Sequence, residues 1–132
     1  DIYRSLLDGV DGVRLVGTPD PADSSPAGYV VVELPGVGST EEDAAAADRV
    51  AQMLQAENVH VRRYFSPGVH QLEAFRRFAP EVPLPVTEDL ATRCLSLPTG
   101  EAVSNHDIVT IVALLLDALA RVRADRPVAV SA

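Results

Sequence analysis

Two stretches of this sequence carry helix punctuation at both ends of a 3.6-residue apolar period, and what lies between them is cut into short β-branched runs and turns. In "GVGSTEEDAAAADRVAQMLQAEN", Ser39 with Glu42, or Thr40 with Asp43, has the spacing of a capping box. Acidic residues fill the first turn, and Asn58 suits the left-handed position that ends a helix. The inner face is predicted to hold Ala46, Val50, Met53 and Leu54, with Ala47 at its edge, and Met53 reads there as core filler rather than a ligand. The second stretch starts at Ser104, again with Asp107 three residues on. Its stripe is Ile108, Ile111, Val112, Leu115, Leu119 and Val122 over 104–124, and Val109, Leu114 and Leu116 widen it, which predicts burial on more than one side.

Around these helices the elements are short. "DIYRSLLDGV" has Ile2, Leu6 and Leu7 at helical spacing, a possible cap at Asp1 and a stop at Gly9, so 1–10 reads as the end of a longer helix. "GVRLVG" reads as a short strand, 18–28 as a flexible Pro/Ser/Asp loop, and "YVVVEL" (29–34) as a buried strand. Residues 59–65 are read as a strand, 66–85 as irregular, "VTEDLATRC" as a short helix, "LSLP" as a strand, and 125–132 as a tail. Helices interleaved with short strands predict an α/β (α+β) sandwich, a small mixed or antiparallel sheet covered by helices, in one domain over 1–132.

Composition removes several classes of chemistry. The 132-residue chain has a net charge of −8, the wrong sign for a nucleic-acid partner, and no apolar run long enough to span a membrane. One cysteine, Cys94, and no basic-then-apolar start make a cytoplasmic location the expectation. All 11 basic residues are arginine, so a lysine Schiff base or a P-loop lysine is excluded within this chain. His60, His70 and His106 lie in separate elements without ligand spacing, so no metal site is expected. Ser66, Ser96 and Ser104 sit in no nucleophile elbow, and "LPGVGST" misses the dinucleotide pattern.

Candidate binding residues come from "VRRYFSPGVH" (61–70). Strand alternation puts Val59, Val61, Arg63 and Phe65 on one side and His60, Arg62 and Tyr64 on the other. Arg62 suits either a solvated face and ion pair or a fork for an anion or carboxylate. Pro67 and Gly68 end the strand and redirect the chain, so His70 is either a turn-capping surface residue or a functional one.

The order of motifs, "LLDGVDGVRLV", "YVVVEL", a long helix, "NVHVRRYFSPGVHQLEAFRR" and "PLPVTEDLATRCLSLPTGEAVSNHDIVTIVALLLDAL", resembles the C-terminal region of the DegT/DnrJ/EryC1/StrS family over roughly residues 1 to 120. These are pyridoxal-phosphate-dependent aminotransferases of nucleotide-linked keto sugars. The resemblance implies the small C-terminal domain of a fold-type-I enzyme, with the Schiff-base lysine upstream and no catalytic or cofactor-binding residue in this chain. It also implies an N-terminal cofactor domain and a second subunit as partners, a nucleotide-sugar substrate, and glutamate as the usual amino donor. His70, Arg62 and Tyr64 are the expected substrate-binding residues. Separation from a larger body is expected to expose apolar surface on the 104–124 helix together with Ile2 and Leu6. The alternative from another class is a free-standing, non-enzymatic small-molecule-binding or regulatory α/β module.

Overall fold

The computed structural model describes residues 2–17, 29–35 and 41–125, with the side chains of 41–44 excepted. The expected cap at Asp1, the 18–28 loop, both candidate capping boxes at Ser39 and Thr40, and the tail beyond Asp125 lie outside the described residues.

Among the described residues eight α-helices and strands follow one another: α1 (Ile2–Leu7), β1 (Arg14–Leu15), β2 (Val30–Glu33), α2 (Glu41–Ala56), β3 (Arg62–Arg63), α3 (Pro85–Ala91), β4 (Cys94–Leu97) and α4 (Asn105–Ala124), with two short 3-10 turns, Val69–Gln71 and Arg76–Phe78, between β3 and α3. The strands form one sheet in the order β1-β2-β4-β3, and every neighbouring pair is antiparallel. Register pairs Val30 with Leu97 and Val32 with Leu95, so these four side chains share one face of the sheet and enter the core. Val31, Glu33, Cys94 and Ser96 take the other face.

The helices pack on the inner face. α4 touches both α1 and α2, which is why its apolar stripe is so wide: Ile111, Val112, Leu115, Ala118, Leu119 and Val122 are buried, and Leu114 and Leu116 pack at the edge of the core. The capping box at Ser104 forms in both directions, Asp107 N–H donating to Ser104 Oγ at 3.1 Å and Ser104 N–H to Asp107 Oδ2 at 2.8 Å. Hydrogen bonds from the Ser104 hydroxyl and backbone hold the Asp107 carboxyl below its usual range. On α2, Ala46, Ala47, Val50, Ala51 and Leu54 are buried. Asn58 closes the helix with φ +61, while Asn58 N–H bonds to Gln55 and Val59 N–H to Leu54 in the 6→1, 5→2 pattern.

Three expectations change. Residues 59–65 are not a continuous strand: only Arg62–Arg63 join the ladder, and Val59 and Val61 reach the core from a turn continuous with the end of α2. Ile2 and Leu6, expected to be exposed, are half-buried, Leu6 against the core; α1 buries Leu7 and also Tyr3, which the apolar spacing passed over and whose hydroxyl donates to Pro98 O at 2.9 Å while burial raises its pKa to about 12. The apolar stripe of α4 is covered by α1 and α2. Exposed large apolar side chains concentrate instead between Tyr64 and Val86.

Candidate functional site

Chain direction changes at the end of β3. One residue past the paired strand, Tyr64 N–H still donates to Cys94 O at 3.2 Å. Phe65 departs: its φ of +47 turns it out of strand geometry, so it leaves the Val59/Val61/Arg63 side and stands edge-on to Tyr64, ring centroids 4.6 Å apart. A left-handed backbone costs a non-glycine residue about 1–2 kcal/mol.

These two rings border a trough on the outer face of the sheet. A cavity of about 200 Å³ is lined by Val31, Cys94, Tyr64, Phe65, Thr87 and Leu90 among others. Phe65 and Thr87 also line a wider groove of about 450 Å³ that continues past Val69, His70, Phe75 and Phe78. Tyr64 and His70 therefore line two neighbouring cavities that share Phe65 and Thr87. Arg62 is not part of it: the residue is exposed, pairs through its backbone with Ser96, and lines neither cavity.

His70 is fixed from two directions. Its side chain is only 15% exposed, and Nε2 lies 3.2 Å from Glu88 Oε1 on α3. The Nδ1–Cε1 edge lies against Gly68, where an added Cβ would fall 2.6 Å from Cε1 and 2.8 Å from Nδ1. α3 is in turn positioned by Pro85 at its first turn and by Arg63, whose Nη2 donates to the carbonyls of Ala91 (2.9 Å) and Thr92 (2.6 Å) at its C-terminal end. Arg63 Nη1 lies 3.2 Å from Asp48 Oδ1 of α2, close enough for an ion pair but without hydrogen-bond geometry.

Behind the trough is a charged cluster. Glu33 is 3% exposed and accepts from Arg14 Nε at 2.7 Å and Arg93 Nε at 2.8 Å, and Arg93 Nη1 reaches Asp89 at 2.7 Å. Burial pushes the Glu33 carboxyl up, but the hydrogen bonds and charges of the two arginines outweigh it and hold the group below its usual range. Burial and the Glu33 charge push the neighbouring Cys94 thiol up, the reverse of an activated nucleophile.

Aromatic rings and one held histidine suit recognition of a polar ligand with apolar faces. Among the described residues no cluster of three His, Cys, Asp or Glu could hold a metal ion, and no helix is long and apolar enough to cross a membrane. Pyridoxal phosphate does not fit as a covalent resident, because no lysine is present. Sequence reading missed Glu88, Phe65, Phe75 and Phe78. The available signal was the recurrence of large apolar residues at 65, 69, 72, 75 and 78 in a segment read as irregular.

The pattern of the DegT/DnrJ/EryC1/StrS aminotransferase family matches residues 1–116. Among solved structures, the aminotransferase TlmJ from Streptoalloteichus hindustanus is similar at 26% identity and a TM-score of 0.67, covering 92% of this chain. DesI, solved in the presence of its TDP-sugar product, is similar at 37% identity and a TM-score of 0.66, covering 93%. Helicobacter pylori PseC, an aminotransferase involved in the biosynthesis of pseudoaminic acid, shares the fold at 13% identity, a TM-score of 0.72 and 91% coverage. This chain spans about 30% of the length of each of the three. No curated protein matches it in sequence. With a family pattern running through both long helices, the sheet and the trough, the chain belongs to the DegT/DnrJ/EryC1/StrS aminotransferase family.

Proposed function

We propose that this chain is the C-terminal small domain of a pyridoxal-phosphate-dependent aminotransferase that transfers an amino group from glutamate to a nucleotide-linked keto-deoxysugar. The intact enzyme works in the cytoplasm as a homodimer, with the lysine and cofactor on an N-terminal domain. The observation that carries this reading is the family match over residues 1–116, supported by the 37% identity to DesI. Pyridoxal phosphate would supply the electron sink for amino transfer. This chain's part is enclosure of the sugar substrate: Tyr64 offers a ring face and a hydroxyl, and His70 a hydrogen bond to the sugar from the wall of the groove, while Arg62, outside both cavities, offers its fork to an anionic group that reaches past them.

The test is made in the full-length protein, with the two half-reactions followed separately. Loss of one hydrogen bond to a charged group corresponds to about 1.5–3 kcal/mol, so His70→Ala is expected to slow the sugar half-reaction by about 10- to 150-fold and leave the glutamate half-reaction nearly unchanged. Wild-type rates in both would show that 66–70 is only a turn. If the coding region upstream of Asp1 has no lysine-bearing cofactor domain, the chain is a free-standing binding module instead.

A further inference from the structure

A histidine can meet a ligand through either ring nitrogen, and the nitrogen it uses decides what the ligand must present. In His70 that choice is made within the chain. Nε2 lies 3.2 Å from Glu88 Oε1, and an ionised carboxylate only accepts, so the proton of the neutral ring is held on Nε2. Nδ1 keeps its lone pair. No described residue bonds to Nδ1, and among the described residues the buried side-chain atoms left without a partner are both on Arg63, so Nδ1 is reachable from outside the chain. The ring itself lines the groove beside Val69, Phe75, Phe78 and Thr87. Gly68 keeps the Nδ1–Cε1 edge uncapped, because a Cβ there would fall 2.8 Å from Nδ1 and 2.6 Å from Cε1. Glu88 has no competing task. Its carboxylate makes no ion pair with any other described residue, whereas Asp89, the next residue of α3, is committed to Arg93 at 2.7 Å.

We propose that Glu88 is a positioning residue: it commits Nε2 of His70, so that Nδ1 meets the sugar substrate as an acceptor and selects a hydroxyl at that point over a carbonyl or phosphate oxygen. The inference rests on the function proposed above and adds the direction of the hydrogen bond and the residue that sets it. A carbonyl or phosphate oxygen has no proton to give, so it would face the Nδ1 lone pair unpaired, and an unmade hydrogen bond in a groove costs more than a made one gains. The carboxylate behind the ring also strengthens Nδ1 as an acceptor, because linked hydrogen bonds polarise one another. Glu88 can hold this position because α3 is placed by contacts that do not involve His70: Glu88 N–H donates to Leu84 O at 2.9 Å, and Arg63 holds the carbonyls of Ala91 and Thr92 at the other end. With an uncharged group at 88 that both donates and accepts, either tautomer is satisfied and the selection is lost.

The two ring nitrogens are followed separately by two-bond proton–nitrogen NMR of the full-length polypeptide labelled with 15N-histidine, at a pH where the ring is neutral and with His70→Ala assigning the signals. The expected spectrum has a protonated Nε2 and a bare Nδ1. Thymidine- and uridine-diphosphate glucose are then added, with the free nucleoside diphosphates as the sugar-free control. At least one of the two sugars should move Nδ1 and leave Nε2 in place, and neither free diphosphate should do so. Glu88→Gln keeps the size and hydrogen bonding of a mere clamp between turn and helix but no longer dictates the tautomer. It should give a mixed ring and raise KM for the sugar by about 2- to 10-fold, the effect of one hydrogen bond, with less change in kcat. A response at Nε2, or at neither nitrogen, overturns the proposal. So does a Glu88→Gln protein with wild-type KM, which would leave Glu88 as a clamp only. Wild-type protein with the expected ring and its loss in Glu88→Gln, yet no amination of a nucleotide-linked keto sugar, would refute the function and leave the assignment of Glu88 standing.

Discussion

Gly68 is required by its neighbour, not by its own backbone. Its φ of −52 and ψ of 148 are open to any residue, but a Cβ would fall 2.6 Å from His70 Cε1 and 3.2 Å from Thr87 Cγ2. Gly68→Ala should therefore push the imidazole off Glu88 without unfolding the chain. Half-exposed Glu88 makes this a weak pair, so the expected loss of stability is below about 1 kcal/mol. The informative readout is the NMR environment of the His70 ring, and a ring still in contact with Glu88 in the variant would show that the turn yields instead. "SPGVH" announced a break and a histidine that could matter. Glu88, 18 positions further on, was not legible, because contact between a turn and a later helix is set by tertiary packing and has no periodic trace in sequence.

Elements were legible in proportion to their length. Two helices with end signals and a full apolar face were readable, since each carries several turns of consistent pattern. A two-residue strand leaves too little pattern, which is why 59–65 looked like one strand although its first residues complete the end of α2. α3 shows how a short element is held. Seven residues without a side-chain N-cap are marginal alone, and Arg63 supplies donors to the carbonyls at the other end. Arg63→Ala should cost about 1–2 kcal/mol and accelerate amide exchange along α3 more than along α4. Uniform acceleration in both helices would contradict a local role. β2 contains the other strut, Glu33, in a run read from sequence only as a buried strand. Glu33→Gln should lower stability at neutral pH by about 1.5–3 kcal/mol, read from urea midpoints. Because the folded-state pKa of Glu33 is depressed, its contribution is full above the ordinary carboxylate value of about 4.3 and is lost as pH falls through the lower folded value. The gap between wild type and variant should consequently close in acid. A gap that persists unchanged at low pH would assign the loss to packing rather than to charge.

At the scale of the whole molecule, the described residues cover the sheet with three helices on one side and thinly on the other, and this asymmetry separates what the chain can do from what it must be given. Composition had already set the chemical limit, and folding does not lift it. With 11 arginines and no lysine, the only primary amine available to a carbonyl is the α-amino group, which in the chain as given belongs to Asp1. Guanidinium groups stay protonated at neutral pH and are poor nucleophiles. Incubating the 132-residue chain with pyridoxal phosphate and reducing with borohydride should therefore trap at most one pyridoxyl group, confined to the N-terminal peptide, and amino transfer from glutamate should be absent. A reduced adduct at any internal residue, or saturable turnover by the chain alone, would show that the trough supplies chemistry as well as shape. Conversely, adding a cofactor-bearing partner domain should create activity without altering the fold of these residues, because the proposed binding groups, His70 and Tyr64, are already held in place by the turn, the sheet and α3.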